Sequence, residues 1–565
     1  MNMEKQIKIY ALDNAVRYKG KASRGAVIGQ VVNAYPEWKA KMKELQPMLN
    51  AVLEEVNAMT AFEQSDLLRE LAPELLEPKE KKVREGLKEL NNALEGKVVL
   101  RFEPSPSGPM HIGHSYTGSL NVSYAHKYKG KLILRISDTN PDNIDPVSYE
   151  LLPIDMAWLY GKDAFLVLQS DRLESYYSVG LTLIEKGHSY VCTCTGDEFR
   201  ELVNRNESCP CRDLGETVQE DRWRKMHSSE GYVDGDAVVR IKTDLHHKNP
   251  ALRDFPVFRI NTNEHPRQGC KYRVWPLMNM AVAVDDHELG LTHVLRAKDH
   301  YDNTKRQMYI YNYMEWDVPE FMHIGMINFE GLKLSASGMR KDIESGVYSG
   351  WDDIRLPTLL ALRRRGYQPG AFIKFAESIG LSMTDKRVPA GELFKNLDAF
   401  NRQLVEPTAK RYFFVANPKE IHVIGAPELD IELHLHPDHM HGGRLLHSHD
   451  EFLLDMEDVE QFENGKLYRL MDCCNFVNNN GEFTFDKTGI QGYRERGHKI
   501  LHWLPVNDEL VDVNLLMNDG TVVSGKGEPA LDALDDGTIV QFERKGFARF
   551  DHREGDVLVF YWLHK

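Results

Sequence analysis

The sequence predicts a multidomain protein built around an α/β domain of the Rossmann type, with a helical module before it and β-barrels after it. Near the N-terminus, apolar residues recur every three or four positions, as on one face of a helix. From residue 97, a β-branched run leads through a Pro/Gly loop into a helix and a second strand, which is the opening of a parallel α/β unit. After residue 411, short strands alternate with Gly, Asp and Asn turns, a pattern typical of sandwiches and barrels.

The composition excludes several classes of protein. A hydrophobic content of 42% with 10% aromatic residues supports packed cores and excludes a wholly disordered chain. Seven cysteines in 565 residues do not suggest a disulfide scaffold. No apolar run approaches the roughly 20 residues of a membrane span, and the start MNMEKQIKIYALDN lacks the layout of a secretory signal, so we expect a cytoplasmic protein. The net charge of −15 leaves nucleic-acid binding open, because local basic surfaces bind phosphate whatever the total.

Changes in sequence pattern set the expected domain boundaries. We predict a helical N-terminal module over 1–96, the first half of the Rossmann-type domain over 97–165, a cysteine-bearing insertion over 166–272, the second half with a signature loop over 273–345, a helical domain over 346–410 and β-barrels over 411–565. Within the N-terminal module, the apolar spacing predicts one helix over 38–60, and charged residues predict another over 80–94, ending at Gly96.

The clearest chemical motif is His111-Ile112-Gly113-His114, directly after the strand VVLRF and the loop EPSPSGP. Two imidazoles three residues apart on a first helical turn lie on one side, beside backbone N–H groups that have no helical partner. Such a helix start favours an anion, so the imidazoles are candidates to hydrogen-bond phosphate oxygens. Gly113 lacks a Cβ, which lets a flat ring such as adenine lie against the backbone. For the tetrapeptide alone, two histidines on a surface turn remain an open alternative.

Four cysteines form two C-x-C pairs, Cys192 with Cys194 and Cys209 with Cys211, separated by residues 195–208. Four thiolates from two short turns can complete a tetrahedral zinc site of structural type, with no position open to substrate. Reduced cysteines without metal are the alternative. The histidine-rich stretch over 434–450 also suggests metal, since His434 and His436 would share one strand face, but ordinary surface or core histidines are favoured there.

Five segments resemble the glutamyl/glutaminyl branch of the class I aminoacyl-tRNA synthetases. They are RFEPSPSGPMHIGH, LILRISDTNP, VAVDDHELGLTHVLRAKDHYDNTKRQ, YSGWDDIRLPTLLALRRRG and VQFERKGFARFD, in one order across most of residues 98–565. The helical N-terminal module and β-rich C-terminal third resemble the archaeal type of the glutamyl enzymes. The resemblance implies a ligase that activates L-glutamate with ATP and Mg²⁺ and transfers it to tRNA(Glu). It also implies a monomer.

The resemblance assigns roles residue by residue. His111 and His114 are the implied catalytic residues that stabilise charge on ATP, with Gly113 also binding the nucleotide. A second signature loop aligns with residues 333–337, where Lys333 and Ser335 match as further catalytic and ATP-binding residues. The second lysine of that loop is replaced by Ala336, and Arg340 or Lys341 is the candidate substitute. The implied substrate-binding residues are Arg101, which the resemblance places near the side-chain carboxylate of glutamate, Ser105, and Arg296 as a further contact.

Three pocket positions depart from the family pattern, namely Glu103, Ser137 and Met278. Ser137 stands where an acid is expected for the substrate amine. Glu103 is a new carboxylate beside Arg101, able either to neutralise that arginine or to replace the lost acid. Met278 is either a ligand contact or core filler. A glutamine-specific enzyme, and a tRNA-binding paralogue without amino-acid activation, therefore stay open as alternatives.

The resemblance also places tRNA contacts. It implies that the insertion binds the acceptor stem, that the helical domain contacts the inside of the tRNA bend, and that the barrels bind the anticodon. The basic residues expected to meet phosphate are Arg363, Arg364, Arg365, Arg402, Lys410 and Arg411. The residues expected on the anticodon side are Gln541, Phe542, Arg544 and Arg549.

Overall fold

The computed structural model describes residues 3–18, 20–75, 86–438, 442–507 and 509–565. The chain divides into two compact units, residues 1–85 and 86–565. The helices of the first unit are α1 (Met3–Arg17), α2 (Arg24–Ala34), α3 (Met42–Ala58) and α4 (Ala61–Leu71). The predicted apolar stripe is confirmed in α3, whose buried residues are Leu45, Leu49, Val52, Leu53 and Val56.

The helix predicted over 80–94 is wrong where the structure describes it, and residues 80–85 lie outside the described residues. Residues 86–94 form turns and irregular backbone. Leu90 is buried in the core of the second unit, and its N–H donates to the Tyr128 hydroxyl at 2.9 Å. Tertiary contacts thus outweigh the helix propensity of this segment.

The second unit opens with the predicted α/β alternation. Its first elements are β1 (Val99–Phe102), α5 (Ile112–Lys127), β2 (Lys131–Ile136), α6 (Ser148–Tyr160) and β3 (Phe165–Leu168). The three strands pair in parallel in the order β1-β2-β3. Apolar residues of β1 and β2 pack against α5 and α6 and are buried, as is usual in parallel sheets, whereas Phe165 and Leu166 of β3 are exposed.

The insertion is an antiparallel sheet with helices on it. Its elements are α7 (Leu173–Glu185), β4 (Ser189–Cys192), α8 (Gly196–Arg205), α9 (Glu216–His227), β5 (Val238–Ile241), β6 (Pro256–Ile260) and β7 (Val274–Pro276). The strands pair in sequence order, and a core separate from that of the first half lies under them.

The chain then returns to the parallel sheet. The next elements are α10 (Met278–Glu288), β8 (His293–Ala297), α11 (Tyr301–Met314) and β9 (Glu320–Ile324), with β8 and β9 parallel. Val99 donates its N–H to the Thr292 hydroxyl at 2.9 Å, and Thr292 donates to the Val99 carbonyl at 3.1 Å. These bonds set the start of β8 beside β1, so the sheet β1-β2-β3 and the sheet β8-β9 lie next to each other.

A mainly helical segment follows. It consists of β10 (Ile327–Glu330), α12 (Ala336–Glu344), α13 (Leu359–Arg365), α14 (Pro369–Ile379), β11 (Lys386–Pro389) and α15 (Ala390–Val405). Strands β10 and β11 pair in parallel. Apolar residues of α14 and α15 join the core of the parallel sheet, so this segment is continuous with the α/β domain.

The C-terminal third is β-rich, as predicted. Its elements are β12 (Lys410–Tyr412), β13 (Phe414–Ala416), β14 (Pro418–Ile424), β15 (Leu429–His434), β16 (Gly443–Ser448), β17 (Glu451–Asp455), α16 (Met456–Glu460), β18 (Leu467–Leu470), β19 (Asn475–Asn479), β20 (Glu482–Lys487), α17 (Gln491–Arg496), β21 (Gly497–Leu501), β22 (Leu504–Pro505), β23 (Val511–Leu516), β24 (Val522–Gly527), β25 (Ile539–Phe542), β26 (Gly546–Glu554) and β27 (Val557–His564).

These strands form two sheets and a hairpin. One sheet has the order β12-β25-β26-β27-β23-β24-β13, the other the order β21-β18-β19-β20-β14-β17-β22, and β15 pairs with β16. Each sheet has its own apolar core. Across the described residues, no helix combines the length and the apolar character that crossing a bilayer requires.

Candidate active site

The histidine motif forms the start of α5, at the carboxyl end of β1. His111 is the N-cap, and its Nδ1 accepts the N–H of Gly113 at 3.0 Å. His114 Nδ1 in turn accepts the N–H of His111 at 3.4 Å, so the two imidazoles complete a capping box normally made by Ser or Thr with Glu. Their rings stack with centroids 3.9 Å apart. Because both Nδ1 atoms accept, each neutral ring carries its proton on Nε2, which remains a donor.

Both imidazoles are uncharged at neutral pH. Burial lowers the pKa of His111 to about 4, and burial together with the neighbouring His111 lowers the pKa of His114 to about 3. The helix start therefore presents neutral N–H donors and the positive end of the helix dipole to an anion.

Hydrogen bonds anchor the backbone of the histidine motif on both sides. The N–H of Met110 donates to Asp155 Oδ2 of α6 at 2.8 Å. On the other side, Ile112 donates to the Pro357 carbonyl at 2.9 Å, and Leu359 donates to the Met110 carbonyl at 2.8 Å. Burial raises the pKa of Asp155 to about 7. The helix start is thus held between α6 and the beginning of α13.

Gly113 is required by close approach. A Cβ at this position would lie 2.8 Å from Cε1 of His111 and 3.3 Å from Cδ1 of Leu334. The first distance is too short for any side chain without a shift of the imidazole. The second shows that the signature loop at residues 333–337 lies directly against the helix start.

A cavity of about 470 Å³ opens beside this helix start, where β1, β2 and β8 end. It brings together many of the residues predicted for the substrate and nucleotide sites, along with the three that depart from the family pattern: Arg101, Glu103, Ser105, Gly113, His114, Ser137, Met278 and Arg296. Met278 is therefore part of the cavity wall. Ligands of open parallel sheets bind at this edge, outside the carboxyl ends of the strands.

A buried network of charges lies under the cavity. Arg101 Nε donates to Asp286 Oδ1 at 3.1 Å, and Arg135 Nη1 donates to the same oxygen at 2.7 Å. Glu103 Oε2 lies 2.9 Å from Arg135 and 3.2 Å from Arg101. Burial alone would raise the pKa of Glu103, but Arg135 and Arg101 outweigh it and hold the pKa at about 2. The carboxylate at residue 103 is therefore ionised and partly neutralises Arg101.

Arg135 and Asp286 were not predicted as site residues. They lie 151 positions apart in the chain, so no local spacing connects them. A usable signal was nevertheless present, because each is a charged residue inside an apolar run, LILRI for Arg135 and AVAVDD for Asp286. Charged side chains are almost never fully buried unless they are paired.

Arg296 has a different environment from Arg101. Its Nη2 donates to the Thr304 hydroxyl and, at 2.9 Å, to Gln307 Oε1, while its buried Nε has no partner. Within the described parts of the chain, no carboxylate forms an ion pair with it. Burial and the nearby Arg101 lower its pKa to about 10, which still leaves it charged at neutral pH. Arg296 is thus a cavity cation with capacity for an anion.

The signature loop lies next to the cavity but outside it. The described residues that line the cavity include neither Lys333 nor Ser335. Lys333 is exposed and lines a neighbouring pocket of about 320 Å³ with Arg365 and Asn518. Ser335 is the N-cap of α12, and its Oγ accepts the N–H of Gly338 at 3.2 Å.

The two candidate substitutes for the missing lysine differ. Arg340 Nη2 donates to the Ser107 carbonyl at 3.0 Å and pairs with Asp145 at 2.9 Å. It therefore ties α12 to the loop that precedes the helix start, and its charge is already balanced. Lys341 is exposed on the same helix.

The four predicted cysteine ligands do converge in the insertion. Their sulfur atoms all lie within 4.8 Å of one another, with Cys209 Sγ at 3.5 Å from Cys192 Sγ and 3.3 Å from Cys194 Sγ. A tetrahedral zinc ion with Zn–S bonds of about 2.3 Å places its sulfurs about 3.8 Å apart. The arrangement fits such an ion.

The histidine-rich stretch shows no comparable group. Among its described residues, no three ligand atoms converge as the cysteines do. His436 is buried, and its Nε2 lies 3.1 Å from the Glu406 carbonyl. His447 pairs with Asp430 across the β15–β16 hairpin.

Several predicted tRNA-contact residues make internal bonds. Of the three consecutive arginines, Arg365 is buried and donates to the Leu563 carbonyl at 2.9 Å, while Arg364 pairs with Asp551 at 2.9 Å. Arg363 remains exposed. The sequence pattern therefore overestimates the basic surface of α13, because two of these guanidiniums connect α13 to the C-terminal β-sheet.

Residues predicted on the anticodon side are also buried or bonded inside the protein. Phe542 is fully buried in a β-sheet core, which excludes it from stacking on a base in this conformation. Arg544 binds both oxygens of Asp458, at 2.6 and 3.0 Å. Arg549 donates to Asp551 and to the Arg364 carbonyl, at 2.9 and 3.1 Å. Arg544 thus links the β25–β26 turn to α16, and Arg549 links β26 to α13.

An open parallel sheet with an anion-binding helix start at its carboxyl edge is typical of a nucleotide-binding enzyme. Residues 97–406 match the family model of class I tRNA synthetases (E and Q), catalytic domain. Residues 409–490 and 500–551 match two models of the anti-codon binding domain of the same synthetases. The chain belongs to this family of class I tRNA synthetases.

The chain is similar along its whole length to curated archaeal proteins. It is 44% identical to a glutamate–tRNA ligase of Methanothermobacter thermautotrophicus over 98% of each chain. It is 43% identical to the glutamate–tRNA ligases of Methanobrevibacter smithii and Methanocaldococcus jannaschii, over 100% of each chain.

Proposed function

We propose that this protein is a glutamate–tRNA ligase. It activates L-glutamate with ATP to glutamyl-adenylate and pyrophosphate, and then transfers the glutamyl group to the terminal ribose of tRNA(Glu). Full-length similarity to archaeal glutamate–tRNA ligases supports this function. The structural observation that carries this function is that the start of α5, Arg101 and Arg296 line the same cavity.

In the first step, the α-carboxylate of glutamate attacks the α-phosphorus of ATP, and pyrophosphate leaves. The Nε2–H groups of His111 and His114, at the positive end of the α5 dipole, stabilise the negative charge that develops on the phosphates. Mg²⁺, carried in by ATP, neutralises further phosphate charge. Positioning and electrostatic stabilisation thus account for catalysis without a covalent enzyme intermediate.

Glutamate is favoured over glutamine by the state of Arg296. A buried guanidinium without a carboxylate partner gains most from a ligand that supplies one. Glutamine offers only a neutral amide in place of the side-chain carboxylate. We therefore assign the side-chain carboxylate to Arg296, and not to Arg101 as the resemblance implies, because Arg101 is already paired with Asp286 and Glu103. Arg101 and Ser105 are further contacts.

The signature loop and the other domains complete the proposal. Lys333 and Ser335 act on ATP from a loop that moves toward the cavity, and the four cysteines hold a structural Zn²⁺. The predicted boundaries assign 166–272 to the acceptor stem, 346–410 to the tRNA bend and 411–565 to the anticodon. The protein acts as a monomer in the cytoplasm under this proposal.

ATP–pyrophosphate exchange, measured with glutamate and with glutamine in the presence and absence of tRNA(Glu), tests the function. We expect exchange with glutamate and none with glutamine. A response to glutamine alone would contradict the proposed substrate. An absence of ATP turnover with all twenty amino acids and tRNA would instead identify a paralogue that binds tRNA without activating an amino acid.

A further inference from the structure

We infer that Glu103 binds the ammonium group of the substrate amino acid and thereby distinguishes an amino acid from a plain dicarboxylate. The inference rests on the proposed function and deepens it. An amino acid brings one cation and at least one anion into the cavity, and burying a charge without a partner is costly. Of the described residues that line the cavity, Glu103 is the acidic one.

The other carboxylates near the cavity are bound elsewhere. Asp285 accepts from Arg172 at 2.6 Å, from Gln169 at 2.9 Å and from the Tyr176 hydroxyl. Asp286 is held by the two arginines already described. Its second oxygen has no donor, but Asp286 is buried and lies outside the cavity lining.

The two oxygens of Glu103 differ in how they are occupied. Oε2 is held by Arg135 and Arg101. Among the described residues, the hydrogen-bond donor to Oε1 is the Ser137 hydroxyl, at 3.4 Å. That hydroxyl makes a shorter bond, at 2.8 Å, to Gln169 Oε1, which is an acceptor, so its proton points to Gln169. Oε1 therefore keeps lone pairs free for a donor, while Arg135 keeps the carboxylate oriented and ionised.

Ser137 is a second position from which a carboxylate could reach the ammonium group. Because its Oγ lies 3.4 Å from Glu103 Oε1, an aspartate at residue 137 would present a carboxylate to almost the same part of the cavity. If the ammonium site depends on a negative charge at this place, moving that charge from residue 103 to residue 137 should preserve it.

The test compares two ligands that differ in the ammonium group alone. Dissociation constants for L-glutamate and for glutarate, which lacks the amine, are measured by titration calorimetry on the full chain and on Glu103→Gln. The wild-type protein should bind glutamate about 10- to 100-fold more tightly than glutarate, as expected for one charge-assisted hydrogen bond in a buried site. In Glu103→Gln this preference should disappear, mainly through weaker binding of glutamate.

The double variant Glu103→Ala with Ser137→Asp provides the rescue, and it should regain the preference for glutamate. Glu103→Ala alone is the matched control and should lack it. The inference is overturned if Glu103→Gln keeps the preference, or if it weakens glutamate and glutarate equally, since the latter marks a merely structural role. A wild-type protein that shows no exchange with glutamate would refute the proposed function itself, which is a separate outcome.

Discussion

Replacing Asp155 by asparagine tests whether the carboxyl that anchors the helix start is kept neutral by the fold. The Asp155 side chain is almost completely buried and accepts the N–H of Met110 at 2.8 Å. Burial raises its pKa from 3.8 to about 7, although the Met110 bond and the charge of Arg363 act in the opposite direction. The folded protein therefore holds a protonated acid over a range of pH in which the unfolded chain ionises.

The raised pKa of Asp155 makes the free energy of unfolding depend on pH. Below pH 3.8 both states are protonated, and the group has no effect on the free energy of unfolding. From there to pH 7 the unfolded state alone loses its proton, so stability falls by about 1.4 kcal/mol per pH unit and then levels off. The raised pKa of Asp155 therefore lowers the free energy of unfolding by about 4 kcal/mol at pH 8 and by between 1 and 2 kcal/mol at pH 5.

Asparagine cannot ionise, yet its carbonyl oxygen can still accept from Met110. Asp155→Asn should thus be more stable than the wild-type protein by about 4 kcal/mol at pH 8, with a smaller gain at pH 5. Urea unfolding followed by tryptophan fluorescence at both pH values measures this. Asp155→Ala, which loses the acceptor, should not show the gain. A difference between Asn and Asp that does not change with pH would refute the reasoning.

Three further predictions concern the site and the cysteines. His111→Ala and His114→Ala should each lower the rate of pyrophosphate exchange by about 10²- to 10³-fold. The wild-type exchange rate should show no titration of either imidazole between pH 6 and 8, because the pKa values of both histidines in the free enzyme lie far lower. A step in the rate near pH 6.5 would contradict this. Elemental analysis should find one zinc per chain, lost in Cys209→Ser, and a metal-free wild-type protein would exclude the site. Ala336→Lys should raise the exchange rate, because Arg340 is already bound to Asp145; an unchanged rate would mean that Lys341 supplies the charge.

Contacts between residues that are close in the chain were predictable. The paired imidazoles interact across three positions, so the sequence shows both members of the capping box at once. Each C-x-C turn likewise contains two of the four cysteines that converge, and the apolar spacing of α3 indicates its buried face. The predicted helix over 80–94 fails in its described part because Leu90 is held by Tyr128, 38 positions away, which no local pattern indicates.

Predictions that required a side chain to be free were the least reliable. Arg364 was predicted to meet phosphate and Arg544 to lie on the anticodon side, yet each is paired with an aspartate far along the chain. Exposure depends on all the elements that pack around a residue. A sequence pattern describes the composition of the segment and leaves the neighbours undetermined.

The sequence by itself determined the family and the paired histidines at the start of α5, because these depend on motifs whose parts are adjacent. The tertiary structure alone decided which charged side chains of the cavity are paired within the protein and which remain available to a ligand. Arg101 is paired with Asp286 and Glu103, whereas no carboxylate of the described residues forms an ion pair with Arg296. Ion pairing depends on distance in space, and β1 lies beside the start of β8 although the two come from positions almost 200 residues apart.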